Sequence, residues 1–335
     1  ITDKNFNIIH INNYQYKIVT TTSFDREQQH QYHIMLICKD NGNPPKKSEK
    51  NFTIQIEDQN DNNPVFSQSK YGVIVKENDP IGSVVANIEA TDEDDAQNGE
   101  IEYSLDNTDS FTIDKKTGQV KINVMLDREQ IETYQLRVTA TDKGLPPNSQ
   151  TAIVKVTVTD VNDNAPVFER ANYFAGISEN SVIGSNIVKV SATDADVGNN
   201  GLIRYSLQNS DSNAFTMDSE TGVMRNILNL DREVQSMFRL TIVATDNGIT
   251  PLSASTQVTI NVLDVNDNLP TFERNSYRVH VLESQPPFQN ILNVQAVDND
   301  FGNNGEIQYL LQDNNGGKFS IDSQKGIITS TQKLD

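Results

Sequence analysis

Residues 159–168 read TDVNDNAPVF, a run of carboxylate and amide side chains between an alternating apolar stretch and a proline. A single copy is typical of a polar turn, because Asn and Asp side chains hydrogen-bond to their own backbone. The stretch recurs, however. DQNDNNPVF begins at Asp58 and DVNDNLPTF at Asp264, 102 residues before and 104 residues after Asp160.

Three further motifs keep the same intervals. Asp-Arg-Glu begins at residues 25, 127 and 231, and an Asp-x-Gly motif begins at residues 40, 142 and 246. An acidic glycine loop reads TDEDDAQNG from residue 91, TDADVGNNG from residue 193 and VDNDFGNNG from residue 297. A period near a hundred residues is too long for the repeat of a solenoid. It indicates tandem domains, each with its own hydrophobic core.

The motif positions divide the chain into two complete repeats and two partial ones. Repeat A is 1–62, repeat B 65–164, repeat C 168–268 and repeat D 271–335. We expect repeat A to hold the C-terminal half of a unit and repeat D the N-terminal half. Leu334-Asp335 resembles the start of another Asp-Arg-Glu motif, so the sequence is expected to belong to a longer array.

The pattern within a repeat is that of β-strands. Apolar and polar residues alternate along 134–141 and 154–159, which predicts strands with one buried and one solvated face. Turn chemistry, as in DKKTG at 114–118, separates shorter segments. About seven short strands per hundred residues predict an all-β sandwich.

Composition excludes several classes of function. The net charge of −19 argues against nucleic acid or anionic lipid as a partner. No apolar run reaches the roughly 20 residues of a membrane span. Asn51 opens the one N-glycosylation sequon. Cys38 is the only cysteine and occupies the position of Ala140 and Ala244, so we predict a small buried strand residue.

The recurring carboxylates imply a cation. They fall at strand ends and turns, and the loops of a sandwich cluster at its two poles. Facing poles of successive repeats would repel unless a cation lies between them. Oxygen donors without histidine or cysteine favour calcium, which takes six to eight oxygen ligands, over zinc.

An EF-hand is the alternative calcium site, because Asp92-x-Asp94 and Asp194-x-Asp196 resemble the start of its loop. That loop needs a bidentate Glu at its twelfth position. The three acidic loops instead carry tyrosine there, at residues 103, 205 and 309. Their ligands must therefore be completed by other parts of the chain.

Taken together, the Asp-x-Asn-Asp-Asn-x-Pro linkers, Leu-Asp-Arg-Glu, Ala-Thr-Asp-x-Asp and Ala-x-Asp-x-Gly resemble the extracellular repeats of the cadherin superfamily. The style of the motifs is most similar to protocadherins and to giant cadherins of the Fat and Dachsous type. The resemblance implies a seven-stranded Greek-key, immunoglobulin-like sandwich in each repeat. It also implies about three calcium ions at each junction between repeats.

The resemblance further implies the ligands of each junction. For A–B they are Asp25, Glu27, Asp58, Asn60, Asp61, Asn62, Asp92, Asp94, Asn98 and Asp142. For B–C they are Glu77, Asp127, Glu129, Asp160, Asn162, Asp163, Asn164, Asp194, Asp196 and Asp246, with the carbonyls of Val161 and Asn200. For C–D they are Glu179, Asp231, Glu233, Asp264, Asn266, Asp267, Asn268, Asp298, Asp300 and Asn304. One ligand of A–B would precede residue 1 and one of C–D would follow residue 335, so both are expected to bind calcium more weakly than B–C.

The leading functional hypothesis is the ectodomain of a cell-surface adhesion protein, made rod-like by calcium at its junctions. Its partner would be another cadherin ectodomain, in cis or in trans, homophilic or heterophilic. It would lie on the extracellular side of the plasma membrane, in a single-pass protein. Two alternatives stay open: a mechanical spacer without a partner of its own, and a secreted calcium-dependent sugar-binding sandwich. An enzyme is disfavoured, because no nucleophile–base constellation recurs.

Overall fold

The computed structural model describes residues 3–12, 15–106, 108–208, 213–283 and 285–334. The chain divides into two compact units, Ile1–Val161 and Asn162–Asp335. Apart from short 3-10 turns such as Gly302–Gly305, the elements described in both units are strands. Among the described residues, none forms a helix with the length and hydropathy that a membrane crossing requires.

Unit 1 contains thirteen strands in its described part. They are β1 (Phe6–Asn12), β2 (Gln15–Thr20), β3 (Gln31–Lys39), β4 (Lys47–Gln55), β5 (Val65–Phe66), β6 (Lys70–Lys76), β7 (Val84–Asn87), β8 (Ala90–Thr91), β9 (Glu102–Leu105), β10 (Phe111–Ile113), β11 (Gln119–Ile122), β12 (Thr133–Thr141) and β13 (Ser149–Thr159). The pairs β1–β2, β3–β4 and β5–β8 are two-stranded. A four-stranded sheet has the order β6-β13-β12-β9, and a three-stranded sheet the order β10-β11-β7.

Unit 2 repeats this plan over its described residues. Its strands are β14 (Val167–Phe168), β15 (Asn172–Ser178), β16 (Asn186–Lys189), β17 (Ala192–Thr193), β18 (Arg204–Leu207), β19 (Phe215–Met217), β20 (Val223–Asn226), β21 (Met237–Thr245), β22 (Ser253–Leu263), β23 (Thr271–Phe272), β24 (Asn290–Asn293), β25 (Ala296–Val297), β26 (Phe319–Ile321) and β27 (Ile327–Ser330). The sheets have the orders β15-β22-β21-β18, β16-β20-β19 and β24-β27-β26, with two-stranded β14–β17 and β23–β25.

The first strand of each complete repeat is split between two partners. In repeat B, β5 pairs antiparallel with β8, whereas β6 pairs parallel with the last strand, β13. In repeat C, β14 pairs with β17, and β15 pairs parallel with β22. The first strand therefore changes its partner partway along each repeat. The predicted all-β sandwich is confirmed.

The core of repeat B lies between its two sheets. Leu136, Val138 and Ala140 alternate with more exposed residues along β12 and are at most 3 % exposed. Val120 and Ile122 of β11 cover them from the opposite sheet and belong to the same buried cluster. The period-two pattern of the sequence therefore marks the buried face, as expected for half-buried strands. Repeat C has an equivalent cluster.

The turn at residues 114–118 joins β10 to β11, as the sequence predicts. The Asp114 carboxylate accepts the amides of Lys116 and Thr117 at 3.0 and 2.9 Å. Gly118 has a φ of +67°, and a Cβ at this position would collide with the carbonyl oxygen of Ile88. Only glycine satisfies both the left-handed backbone and this close approach.

The predicted burial of Cys38 is wrong, because its side chain is exposed. The equivalent Ala140 is covered by a third strand, since it pairs with Tyr103 of β9. Cys38 pairs with Ser48 in the two-stranded sheet β3–β4, and no third strand pairs with β3 in the described part of the chain. Burial at this position therefore depends on a neighbouring strand.

Candidate metal centre

Three strand ends of unit 1 bring carboxylates together. Glu27 lies in the turn between β2 and β3, Asp58 follows β4, and Asp94 lies in the loop between β8 and β9. One carboxylate oxygen from each lies within 4.8 Å of the others. Asp94 is only 8 % exposed. Three negative charges this close and partly desolvated repel one another in the absence of a cation.

Asp58, the first residue of the linker, is held ionised by its surroundings. Its Oδ2 accepts the side-chain amide of Asn98 at 2.8 Å and the backbone amide of Asp95 at 3.1 Å. Burial alone would raise the pKa of Asp58, but these hydrogen bonds and the charge of Arg26 outweigh it and lower the pKa. The carboxylate is therefore available as a ligand over a wide pH range.

For Asp92 the net effect is the opposite, because its pKa is raised. Its Oδ1 accepts the backbone amide of Asp94 at 3.0 Å, whereas its Oδ2 is buried without a hydrogen-bond partner among the described residues. Burial raises the pKa of Asp92, against that backbone hydrogen bond, and the charges of Asp94, Asp142 and Asp58 raise it further. A buried oxygen without a partner is costly, so Asp92 lacks a compensating group.

Linker amides connect the loops of repeat B. The Nδ2 of Asn60 donates to Asp142 at 3.2 Å and to the carbonyl of Pro146 at 2.7 Å. The Nδ2 of Asn62 donates to Asp94 at 2.8 Å. The Oδ1 of Asn60 is buried and unpaired within the ranges that the structure describes. This contact explains the Asp-x-Gly motif, because a Cβ on Gly144 would collide with the Asn60 amide.

A polar cavity of about 350 Å³ lies beside these residues in unit 1. It is lined by Asp25, Glu27, Gln28, Asp61, Asn62 and Glu93. Of the ten residues predicted for the A–B junction, eight lie in the cluster, line the cavity or form a hydrogen bond with a cluster residue. The other two, Asn60 and Asp142, are hydrogen-bonded to each other. The local arrangement offers oxygen ligands only.

Unit 2 holds a second acidic cluster, made of two triads. One carboxylate oxygen each from Glu179, Glu233 and Asp264 lies within 4.8 Å of the others. The same limit holds for Glu233, Asp267 and Asp300. Glu233 belongs to both groups, so the two triads share a corner. Adjacent triads with a shared carboxylate are suited to two neighbouring cations.

Backbone amides orient Glu179 in this cluster. Its two oxygens accept the amides of Arg232 at 2.8 Å and of Val265 at 2.6 Å, and the residue is 4 % exposed. Burial raises the pKa of Asp267, and the nearby charges of Glu179 and Asp300 are the next contributions. Asp267 therefore holds a proton more readily than an ordinary carboxyl group does.

The remaining residues predicted for the C–D junction lie in contact with this cluster or in its linker. The side-chain amide of Asn268 donates to Asp300 at 2.7 Å, and that of Asn304 to Asp264 at 2.9 Å. Asp298 accepts the amide of Asp300 at 3.0 Å. The charge of Asp231 acts on Asp267, and Asn266 lies in the linker.

The residues predicted for the B–C junction are divided between the units. Unit 1 contains Glu77, Asp127, Glu129, Asp160 and Val161. Glu77 is 2 % exposed and accepts the amides of Arg128 at 2.8 Å and of Val161 at 2.6 Å, as Glu179 does in unit 2. Burial raises the pKa of Glu129, and the charge of Glu77 raises it further.

Unit 2 contains the other part of this set: Asn162, Asp163, Asn164, Asp194, Asp196, Asn200 and Asp246. The side-chain amide of Asn162 donates to both oxygens of Asp246 at 3.2 Å, and that of Asn164 to Asp196 at 2.8 Å. In the part of unit 2 that is described, the Oδ2 of Asp194 is buried without a hydrogen-bond partner. Burial raises its pKa, and so do the charges of Asp196 and Asp246.

Calcium fits these residues on two observations. The acidic groups and their neighbours present carboxylate, amide and carbonyl oxygens, the donor set that calcium takes. Four buried oxygens without a hydrogen-bond partner among the described residues, on Asp92, Asn60, Asp194 and Asn162, belong to residues predicted as ligands. A divalent cation would supply the missing interaction and remove the like-charge repulsion.

The tyrosines at position twelve of the acidic loops have a structural role. The hydroxyl oxygen of Tyr103 accepts the amide of Ala90 at 2.9 Å. Tyr205 accepts the amide of Ala192 at 2.8 Å, and Tyr309 makes the same contact with Ala296 at 3.0 Å. These residues pack into the sandwich, so the loops do not close on themselves as an EF-hand loop does.

Sequence reasoning missed the arginine of the Asp-Arg-Glu motif. Arg26 forms ion pairs with Glu27 and Asp58, and Arg232 forms them with Glu233 and Asp264. The signal that could have found them is their recurrence with the same period as the acidic residues. Recurrence alone does not show whether the arginine is only a sequence neighbour of the ligands or has a function of its own.

Comparisons with known proteins bear on the family to which this chain belongs. The family model for the cadherin domain matches residues 1–57, 71–159, 173–263 and 277–335. Human Protocadherin-1 is 38 % identical over 328 residues, which cover 96 % of this chain and 31 % of that protein. The Drosophila Protocadherin-like wing polarity protein stan is 37 % identical over 95 % of this chain and 9 % of its own length. The chain thus spans less than a third of these relatives.

Solved structures give the same result. A Protocadherin gammaB7 EC3-6 cis-dimer structure superimposes with a TM-score of 0.83 at 32 % identity, covering 99 % of this chain and 83 % of that one. Mouse Cadherin-23 EC22-24 superimposes with a TM-score of 0.73 at 32 % identity, covering 82 % of this chain and 90 % of that one. The four matched segments, the sandwich fold and the acidic clusters coincide, and the chain therefore belongs to the cadherin family.

Proposed function

We propose that this chain is part of an ectodomain that mediates calcium-dependent adhesion or recognition between cells. The observation that carries the proposal is the pair of acidic triads at the linker of unit 2, together with their counterpart in unit 1. Carboxylates that repel when free and lie at a linker make the order of that linker depend on a cation. Membership of the cadherin family and similarity to protocadherins support adhesion as the purpose.

The proposal includes the division into repeats A to D and the three ligand sets that the resemblance to cadherins implies. Each junction would bind about three calcium ions, each ion taking six to eight oxygens. Nine divalent ions bring about 18 positive charges, close to the net charge of −19. Calcium would therefore neutralise the chain as it stiffens the junctions.

The proposed partner is another cadherin ectodomain. One similar solved structure is a protocadherin cis-dimer, which supports pairing between ectodomains of this type. The placement would be extracellular, on a protein anchored in the plasma membrane outside this segment. Asn51 is exposed on β4 and lies in a sequon, so we propose it as a glycosylation site, tested by a mass shift after glycosidase treatment.

Bead aggregation tests the adhesive function. Beads coated with the whole chain are expected to aggregate in millimolar calcium and to disperse in EDTA. Beads of two colours, one of them uncoated, show whether aggregation is homophilic. If coated beads do not aggregate although calorimetry shows that calcium still binds, adhesion by this segment is refuted and a spacer is favoured.

A matched pair of variants links aggregation to the clusters. Asp94→Asn with Asp300→Asn removes one buried carboxylate from each cluster. Glu220→Gln removes one charge from an exposed ion pair with Arg204. The double variant is expected to need more calcium for aggregation, and the control is expected to behave like the unmodified chain.

A further inference from the structure

Arg26 joins three separate segments of unit 1. Its guanidinium pairs with Glu27 at 2.6 Å and with Asp58 of the linker. The same Nη2 donates to the backbone carbonyl of Glu93 at 2.8 Å. Glu93 is the middle residue of the Asp-x-Asp loop, 67 residues further along the chain. One side chain thus connects the Asp-Arg-Glu turn, the linker and the acidic loop of the next repeat.

Arg232 makes the same connections in unit 2. It pairs with Asp264 of the linker at 2.5 Å and with Glu233 at 2.8 Å. Its Nη2 donates to the carbonyl of Asn299, again 67 residues on, at 3.1 Å. Its guanidinium carbon lies 5.2 Å from the ring centroid of Phe301, within cation–π range. Two junctions with different sequences therefore hold the arginine in one geometry.

The environment distinguishes these contacts from ordinary surface pairs. Exposed ion pairs contribute little, because water and salt screen them. The side chains of Arg232 and Asp264 are 15 % and 12 % exposed, whereas those of Arg204 and Glu220 are 42 % and 71 % exposed. A guanidinium presents five donors in a planar fork, so it can serve two carboxylates and a carbonyl at once, which an ammonium does not do in fixed geometry.

We infer that Arg26 and Arg232 tie the linker and the following acidic loop to the Asp-Arg-Glu turn independently of calcium. The inference rests on the proposed function. In addition to calcium, it assigns to the linkers at Asp58 and Asp264 a positive charge that belongs to the chain itself. An ionised carboxylate has about four acceptor sites. Asp58 uses three of them, for Arg26, Asn98 and the amide of Asp95, so a site remains for an ion. When calcium leaves, these arginines keep the ligand loops close, and rebinding starts from a partly assembled site.

Hydrogen-exchange mass spectrometry of the whole chain in EDTA tests this role. Arg232→Met removes the tie and keeps the length of the side chain, whereas Arg232→Lys keeps only the charge. We expect exchange at residues 298–305 to be at least about fivefold faster in Arg232→Met than in the unmodified chain. A factor of this size corresponds to the loss of one modest interaction. The exchange rate of Arg232→Lys should lie between the rates of Arg232→Met and the unmodified chain. Saturating calcium should restore protection of residues 298–305 in all three proteins.

Controls separate the tie from folding and from the proposed function. Arg204→Met removes an exposed arginine of the same unit and should leave residues 298–305 unchanged. Strand β22 reports on the fold, and Arg26→Met offers an independent test at residues 92–99. Equal exchange in Arg232→Met and Arg204→Met in EDTA would overturn the inference. If the unmodified chain gained no protection from calcium, the proposed function would fail, while the comparison in EDTA would still decide the role of arginine.

Discussion

Replacing Asp300 by asparagine should weaken calcium binding at the linker of unit 2 without unfolding the unit. Asp300 is 8 % exposed and shares a triad with Glu233 and Asp267. Its carboxylate accepts the side-chain amide of Asn268 at 2.7 Å. Asparagine keeps the shape and one acceptor oxygen, so the change removes a charge and little else.

The size of the effect follows from Coulomb's law. A divalent ion about 4 Å from one carboxylate gains about 2 kcal/mol even at the dielectric constant of water, and more in a partly buried site. Since about 1.4 kcal/mol corresponds to a factor of ten, calcium binding should weaken by about 25-fold or more. Without calcium, the same substitution is expected to stabilise the cluster. Two like charges at most 4.8 Å apart repel by at least about 0.9 kcal/mol even in water, so Asp300→Asn relieves repulsion from both partners.

A local readout is required, because the chain holds several calcium sites under the proposed function. Hydrogen exchange at residues 264–268 and 298–304, measured against free calcium, reports on this cluster alone. The calcium midpoint there should rise at least about 25-fold, and the midpoint at residues 58–62 of the other unit should not move. Thermal unfolding in EDTA should occur at an equal or higher temperature than in the unmodified chain.

Two results would refute this reasoning. One is a midpoint that shifts less than about threefold, or no more than in the exposed control Glu220→Gln, because charge would then not control binding. The other is a clear loss of stability in EDTA, which would show that Asp300 stabilises the free fold and that the cluster is not repulsive.

Further predictions concern the core, the linker and pH. Asn226 is fully buried, and its Oδ1 has no hydrogen-bond partner in the described part of the chain. Repeat B has isoleucine at this position, so Asn226→Ile should raise the free energy of unfolding in urea by about 1–3 kcal/mol, and a decrease would contradict this. Gly144→Ala should displace Asn60 and raise the local calcium midpoint severalfold while circular dichroism stays unchanged; global unfolding would count against it. Because the pKa values of Asp92 and Asp194 are raised, the folded state without calcium binds more protons than the unfolded state. Stability from these groups should therefore fall as pH rises from the ordinary carboxyl range to their folded pKa values. Urea unfolding in EDTA should show a smaller fall in the double variant Asp92→Asn with Asp194→Asn. An equal dependence of stability on pH in this variant and in the unmodified chain would reject the assignment.

The fold class and the family could be predicted from sequence because both rest on local and periodic signals. Alternation along β12 marks its buried face whatever the partner strand, and Asp114 with Gly118 defines a hairpin turn within five residues. The composition of the acidic motifs also indicated oxygen ligands and hence calcium. The comparisons with cadherins confirm the family.

Other properties depended on neighbours that sequence spacing does not supply. Cys38 is exposed because no third strand pairs with β3 in the described ranges, although its position in the repeat predicted burial. Gly144 is needed because Asn60, more than eighty residues earlier, packs against its Cα.

By itself, the sequence determined the repeat period, the sandwich and the chemistry of the ligands, since these follow from residue type and local order. The tertiary structure alone decided how the charges are balanced. It placed Arg26 and Arg232 among the carboxylates and left an oxygen of Asp92 buried without a partner. The physical reason is that desolvation and Coulomb interactions depend on distances between residues far apart in the chain, which only folding sets.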